Sequence, residues 1–144
     1  IDQGSQKMIA FESCMYLLAG FAVLTGSLDL ALGMKGQKNL GARLTDEGFA
    51  DPLLNSQFRY LGTMWLGFGA ALFLCLSDLP RYVVLFQGLM AMMFLGGLGR
   101  LASIFQFGIP MPRAGRNLVI WATAFELIGS PLFIWWQHQV MAQS

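Results

Sequence analysis

Four long apolar stretches constrain this chain more than any other feature: Met8 to Leu32, Phe58 to Leu76, Tyr82 to Phe107 and Leu118 to Trp136. A helix needs about 20 apolar residues to cross the hydrocarbon layer of a bilayer. Each stretch meets that length and is too long for a strand. In lipid, every backbone N–H and C=O must be satisfied within the segment, which a helix achieves alone. The expected fold is all-α, a single integral membrane bundle of four transmembrane helices over residues 1–144. Charged residues make up 12% of the chain, about half the share of a soluble domain. That is too little polar surface to wrap a soluble globule. It also excludes a disordered chain and, with a net charge of +1, a nucleic-acid binder with a strong basic field.

The connections differ in character. Ser77-Asp78-Leu79-Pro80 makes a tight turn between the second and third stretches, and Gly108-Ile109-Pro110-Met111-Pro112 ends the third. The first connection, Gly33 to Gln57, is about 25 residues long, which is unusual in a small bundle. Its Leu40, Leu44, Phe49, Leu53 and Leu54 are spaced among charges. This suits an interfacial helix or a lid on the membrane surface, and equally an ordinary solvated loop. Trp135, Trp136, Gln137 and His138 close the fourth stretch like an interfacial aromatic belt. The first stretch is too long, and lacks the small-residue cleavage site, for a removable signal peptide. Lys35, Lys38, Arg43, Arg59, Arg113 and Arg116 flank the first and third connections. The positive-inside rule then places the long connection in the cytoplasm and both termini outside. The expected location is the inner (cytoplasmic) membrane of a bacterium.

Glu12, Asp29, Arg100 and Glu126 fall inside the stretches, and Arg59 sits at an edge. A charge inside a membrane costs at least about 2.5–3.5 kcal/mol on insertion scales and normally has a partner. Arg100 and Glu126 lie at similar distances before and after the third connection, so antiparallel helices bring them to one depth. Asp29 and Arg59 flank the first connection and lie toward the same side. Together Asp29, Arg59, Arg100 and Glu126 form a candidate polar cluster of two acids and two bases. Its guanidinium groups suit an anionic head group or carboxylate. The plainer alternative is that Arg100 and Glu126 only neutralise each other and fix helix register.

Other features have bland readings. Gly62, Gly67, Gly69, Gly96, Gly97 and Gly99 suit close helix packing. Trp65 and Trp121 can line a ligand cavity or face lipid. Ser130-Pro131 can bend the fourth helix just beyond Glu126 and free a backbone carbonyl. Met90, Met92 and Met93 read as packing. Cys14 and Cys75 read as reduced, packed thiols on the terminal side. With His138 as the single histidine, the chain lacks the usual zinc, di-iron and bis-histidine haem sets. No metal or cofactor is expected.

Several of these residues also carry a resemblance. Asn55-Ser56-Gln57-Phe58-Arg59-Tyr60-Leu61-Gly62 with Trp65-Leu66-Gly67, Phe94 to Leu101 with Gly108 and Pro110, and Glu126-Leu127 with Pro131-Leu132 resemble the signatures of a bacterial four-span family known as domain of unknown function 4345. The likeness covers about residues 55 to 135, and the first helix fits loosely. It implies a small membrane protein with Arg59, Arg100 and Glu126 at motif positions, and it implies no activity. In size and layout the chain is also similar to small four-helix proteins of the DoxX type, which recur as partners of redox systems.

Two functions compete at this point. The first-ranked is an accessory or scaffold subunit of a larger membrane assembly, with a membrane-protein partner or a second copy of itself, favoured by the small size, the lack of cofactor ligands and the glycine-rich helix faces suited to packing. The other is a binder or carrier of a small amphipathic molecule (a lipid, quinone or fatty acid) in a pocket around Arg100 and Glu126. A membrane enzyme using proton transfer from Glu126 is a weaker third, because only Asp29 offers a second titrating group and no nucleophile pattern accompanies it.

Overall fold

The computed structural model describes residues 3–110 and 112–142. Met111, in the break that ends the third apolar stretch, lies outside the described residues, as do Ile1, Asp2, Gln143 and Ser144. The described chain is all helix, turn and loop. In order the elements are α1 (Gln3–Leu32), α2 (Lys35–Asn39), α3 (Asp46–Ala50), α4 (Pro52–Ser77), α5 (Val83–Phe107), α6 (Arg113–Ala124), a π-helical turn (Phe125–Gly129) and α7 (Ser130–Met141). α6, the π turn and α7 form one continuous rod. This rod, α1, α4 and α5 are the four helices long and apolar enough to cross a membrane.

Three of the four long helices outrun the apolar stretches that announce them. α4 starts at Pro52, not Phe58, because Asp51 caps it by accepting the Leu54 N–H at 2.8 Å, with Pro52 in the first turn. The fourth rod starts at Arg113, not Leu118, directly after Pro112, and runs past Trp136 to Met141. α1 likewise starts at Gln3 rather than Met8. Hydropathy marks the lipid-soluble part of a helix, whereas caps and prolines mark its ends. The first connection shrinks accordingly and is folded. It holds two five-residue helices, α2 and α3, with Phe49 buried and Thr45 capping α3 by accepting the Gly48 N–H.

α1 and α4 pack against each other along their lengths. Gly26 meets Gly62 and Leu66, and Ala19 meets Gly69, so the pair is antiparallel. A Cβ on Gly62 would stand 2.8 Å from the Asp29 Cβ and 2.9 Å from the Leu30 N. The two backbones touch, and a side chain at this position has no room. α5 and the fourth rod make the second antiparallel hairpin, through Gly97 against Glu126 and Leu127 and through Gln87 against Gln137.

The two hairpins join at one end. Phe11 of α1 packs on Phe86 of α5 and Trp136 of α7, at centroid distances of 5.8 and 5.5 Å. The large buried side chains of the four long helices lie in this half, including Met15, Leu72, Cys75, Met90 and Phe133. This is the end that holds both chain termini and the turn from Asp78 to Tyr82. Toward the first connection, the buried residues of the long helices are small: Gly26, Gly62, Gly97, Gly115 and Thr123. That half has no aromatic core, and the hairpins separate there.

Candidate functional site

Asp29, Arg59, Arg100 and Glu126 settle on two separate hairpins. On the first hairpin, Arg59 donates from Nη1 to the carbonyl oxygen of Leu30. Leu30 lies in the last turn of α1, where carbonyls lack helical partners and a cation is favourable. Arg59 is therefore the C-terminal cap of α1. Asp29 is half-buried beside Gly62 and makes no ion pair or side-chain hydrogen bond among the described residues. Asp29 and Arg59 lie at the same end of the first hairpin, and Arg59 is committed to the carbonyl of Leu30, the residue after Asp29.

On the second hairpin, the Arg100 Nε donates to both carboxylate oxygens of Glu126, at 3.0 and 2.9 Å. The expected pair forms. The Glu126 side chain is 12% exposed and that of Arg100 is 43% exposed. Glu126 stands in the π turn, and the sequence explains the turn. Pro131 has no N–H to give to Leu127, and its ring crowds that carbonyl, so the helix widens over the preceding residues. Ser130 donates its hydroxyl to the Glu126 carbonyl oxygen at 2.7 Å. The wider turn sets Glu126 against α5 where Gly97 leaves space; a Cβ there would stand 2.9 Å from the Glu126 Cβ. No hydrogen bond or ion pair joins the Arg59 and Asp29 pair to the Arg100 and Glu126 pair. Asp29 and Arg59 thus sit on one hairpin and Arg100 and Glu126 on the other. Glu12 is half-buried in α1 without an ion pair among the described residues.

Open space lies elsewhere. A groove of about 560 Å³ runs between α1 and the fourth rod, lined by Cys14, Leu17, Leu18 and Phe21 on one wall and Asn117, Leu118, Trp121, Ala122 and Phe125 on the other. Its surface is almost wholly apolar. A second cavity, of about 470 Å³, lies under the first connection. Gln37 and Arg43 of the connection, Ser103 and Phe107 of α5, and Gly115 and Leu118 of α6 line it. Both volumes fall in the range of about 300–1,000 Å³ typical of small-molecule sites. Leu118 belongs to both linings, whereas Asp29, Arg59, Arg100 and Glu126 belong to neither.

Trp121 lines the groove and Trp65 does not. Trp65 stacks on Phe68 at 4.8 Å and donates its Nε1–H to the Thr25 hydroxyl, which donates to the Phe21 carbonyl oxygen. Cys14 and Cys75 are free thiols, the first in the groove wall and the second in the core. Among the described residues no three His, Cys, Asp or Glu side chains come together in a way that could hold a metal ion.

The connection is clamped over the second cavity. Asn55, at the start of α4, donates to the carbonyl oxygens of Phe49 and Asp51 and accepts the Met34 N–H. Gly41 has φ +86 and presses on Pro112, and the Leu40 carbonyl reaches Gly115 of α6. Asn55 stands at the head of the second-helix signature, yet nothing in hydropathy shows that it ties the connection down.

This arrangement defines a multi-pass helical membrane protein. The chain belongs to the family described as Domain of unknown function (DUF4345), whose model matches residues 7–137. Comparison with curated proteins and with solved structures finds no match.

Proposed function

We propose that the protein binds a small amphipathic molecule, with the apolar part of that molecule in the groove between α1 and the fourth rod. One observation carries the reading: an apolar groove of about 560 Å³ runs between the two hairpins, with the core residue Leu18 in its lining. From Cys14 to Phe21 and from Asn117 to Phe125 its walls rise about 10–12 Å along the helices. That suits one alkyl or isoprenoid chain better than a folded pair. The Arg100–Glu126 pair holds the π turn in place behind the groove wall, since Phe125 lines the groove and Glu126 follows it.

The accessory-subunit reading draws in part on glycine-rich helix faces suited to packing. Gly62, Gly69 and Gly97 are consumed by packing within the chain, while Gly67 and Gly99 stand in open space. The internal use of three of these glycines favours the binder.

The test is co-purification. The wild type and Ala122→Phe, which fills the groove, are extracted in mild detergent, and bound small molecules are identified by mass. A single-chain amphiphile with the wild type and its loss from the variant, at unchanged thermal stability, is the expected result. The same bound complement in both proteins would defeat the reading.

A further inference from the structure

We propose that the cavity under the first connection seats an anionic head group, a carboxylate or a phosphate, of the amphiphile whose chain lies in the groove. This rests on the groove reading above and adds the chemical class of the ligand.

The cavity brings together three polar side chains that have no protein partner among the described residues: the Arg43 guanidinium, the Gln37 amide and the Ser103 hydroxyl. They come from the loop before α3, from α2 and from α5, so the folded connection is what assembles them. Guanidinium offers donors only, and amide and hydroxyl offer donors as well. Arg43 is the one charged residue of the lining, and no acid faces it. A site with three donors and a net positive charge selects an anion, and a guanidinium fork matches carboxylate or phosphate oxygens in two-point contact.

Position supports a lipid head rather than a buried substrate. The cavity lies where α5 ends at Phe107 and α6 begins at Arg113, the level of the membrane surface. Arg113 and Arg116 are exposed on the same side and make no ion pair among the described residues. The apolar groove opens at this level through Asn117 and Leu118, and Leu118 is shared with the cavity. A head at the surface and a chain descending past Leu118 use both spaces.

The experiment uses the full chain in phosphatidylcholine nanodiscs and three photoreactive probes carrying the same diazirine alkyl chain: a fatty acid, an alkyl phosphate and a fatty alcohol. Cross-linked peptides are located by mass. The acid and phosphate probes are expected to label the walls around Phe21 and Trp121 saturably. Arg43→Gln lowers that labelling about tenfold, the loss of one charge-assisted contact, while the alcohol labels both proteins alike. Equal labelling by acid and alcohol, unaffected by Arg43→Gln, overturns the anionic head group and leaves the groove standing. Inorganic phosphate that displaces the acid at lower concentration than the alkyl phosphate does overturns the lipid source in favour of the free ion. Absence of saturable groove labelling by any probe removes the groove reading and this inference with it.

Discussion

Arg100 grips both carboxylate oxygens of Glu126 through its Nε alone. Its two terminal nitrogens have no partner among the described residues, and the side chain is 43% exposed. The contact is thus asymmetric. Glu126 is largely covered and has Arg100 as its ion-pair partner, whereas Arg100 can reach outward. Arg100→Ala leaves a largely covered carboxylate without a cation. Removing one member of a fully buried pair costs about 3–5 kcal/mol; partial exposure of Arg100 lowers the expected loss to about 2–4 kcal/mol. Unfolding in mixed micelles should show it, and Arg100→Met with Glu126→Leu should recover most of the loss, since an apolar replacement strands no charge. Unchanged stability in Arg100→Ala would mean that the pair carries no weight.

Thr123 supplies a contrast three residues earlier on the same rod. It is 6% exposed and its Oγ1 has no hydrogen-bond partner among the described residues. An unsatisfied buried hydroxyl costs about 1–3 kcal/mol. Thr123→Val keeps the shape and removes that cost, so the variant should be more stable by about 1 kcal/mol. A loss of stability of that size in the same unfolding assay would show that the hydroxyl has a partner in the membrane.

The two glycine environments of α4 predict opposite signs. Gly62 faces backbone, with Leu30 N at 2.9 Å from a built Cβ, while Gly67 has nothing within 4 Å. Overpacking a tight contact costs about 1–3 kcal/mol, and the backbone of α1 cannot rotate away as a side chain can. Gly62→Ala should therefore separate α1 from α4 and lower stability by at least that amount. Gly67→Ala should raise stability by up to about 1 kcal/mol through helix propensity. Parallel unfolding of the two variants is the check, and equal effects would refute the close approach.

How much of this was legible in the sequence follows from what each signal measures. Apolar length located four helices, because crossing lipid demands it. It missed their ends, because Asp51 and Pro52 act through capping and not through hydropathy. Arg100 and Glu126 could be paired from their distances to a shared turn, which fixes depth in a hairpin. The same reasoning put Arg59 near Asp29 in depth and left contact open, because depth says nothing about rotation around a helix. A backbone carbonyl at Leu30 was an invisible competitor. The cavity of Gln37, Arg43 and Ser103 was out of reach altogether, since its lining joins the folded connection to α5 and α6.

Asn55 makes the hold on that connection testable. Its side chain makes three hydrogen bonds to the backbone of the connection, at 2.9, 3.0 and 3.1 Å. Asn55→Ala removes all three while leaving α4 capped by Asp51. The connection should open locally, so trypsin should cut after Lys38 and Arg43 about tenfold faster, matching a local loss of about 1.4 kcal/mol. The core near Phe11 and Phe86 should keep its global stability. Protection of both sites equal to wild type would show that Gly41 on Pro112 and Lys38 on Asp46 suffice to hold the connection.

Leu118 is the remaining hinge of the functional argument, because it is the residue common to the groove and the surface cavity. Its side chain is 43% exposed, so truncation removes a partition more than it removes core. Leu118→Ala should widen the passage between the two spaces at a stability cost well below the about 2–5 kcal/mol of a buried Leu→Ala change. Retention of a long-chain amphiphile should rise or hold. Leu118→Trp should obstruct the passage and reduce the bound amphiphile, while leaving the Arg100–Glu126 pair and the core unchanged. The check is the amount of ligand per protein after mild extraction, with thermal stability measured alongside. Equal ligand in Leu118→Ala, Leu118→Trp and wild type would show that chain and head group do not pass Leu118, and that the two cavities are not parts of one site.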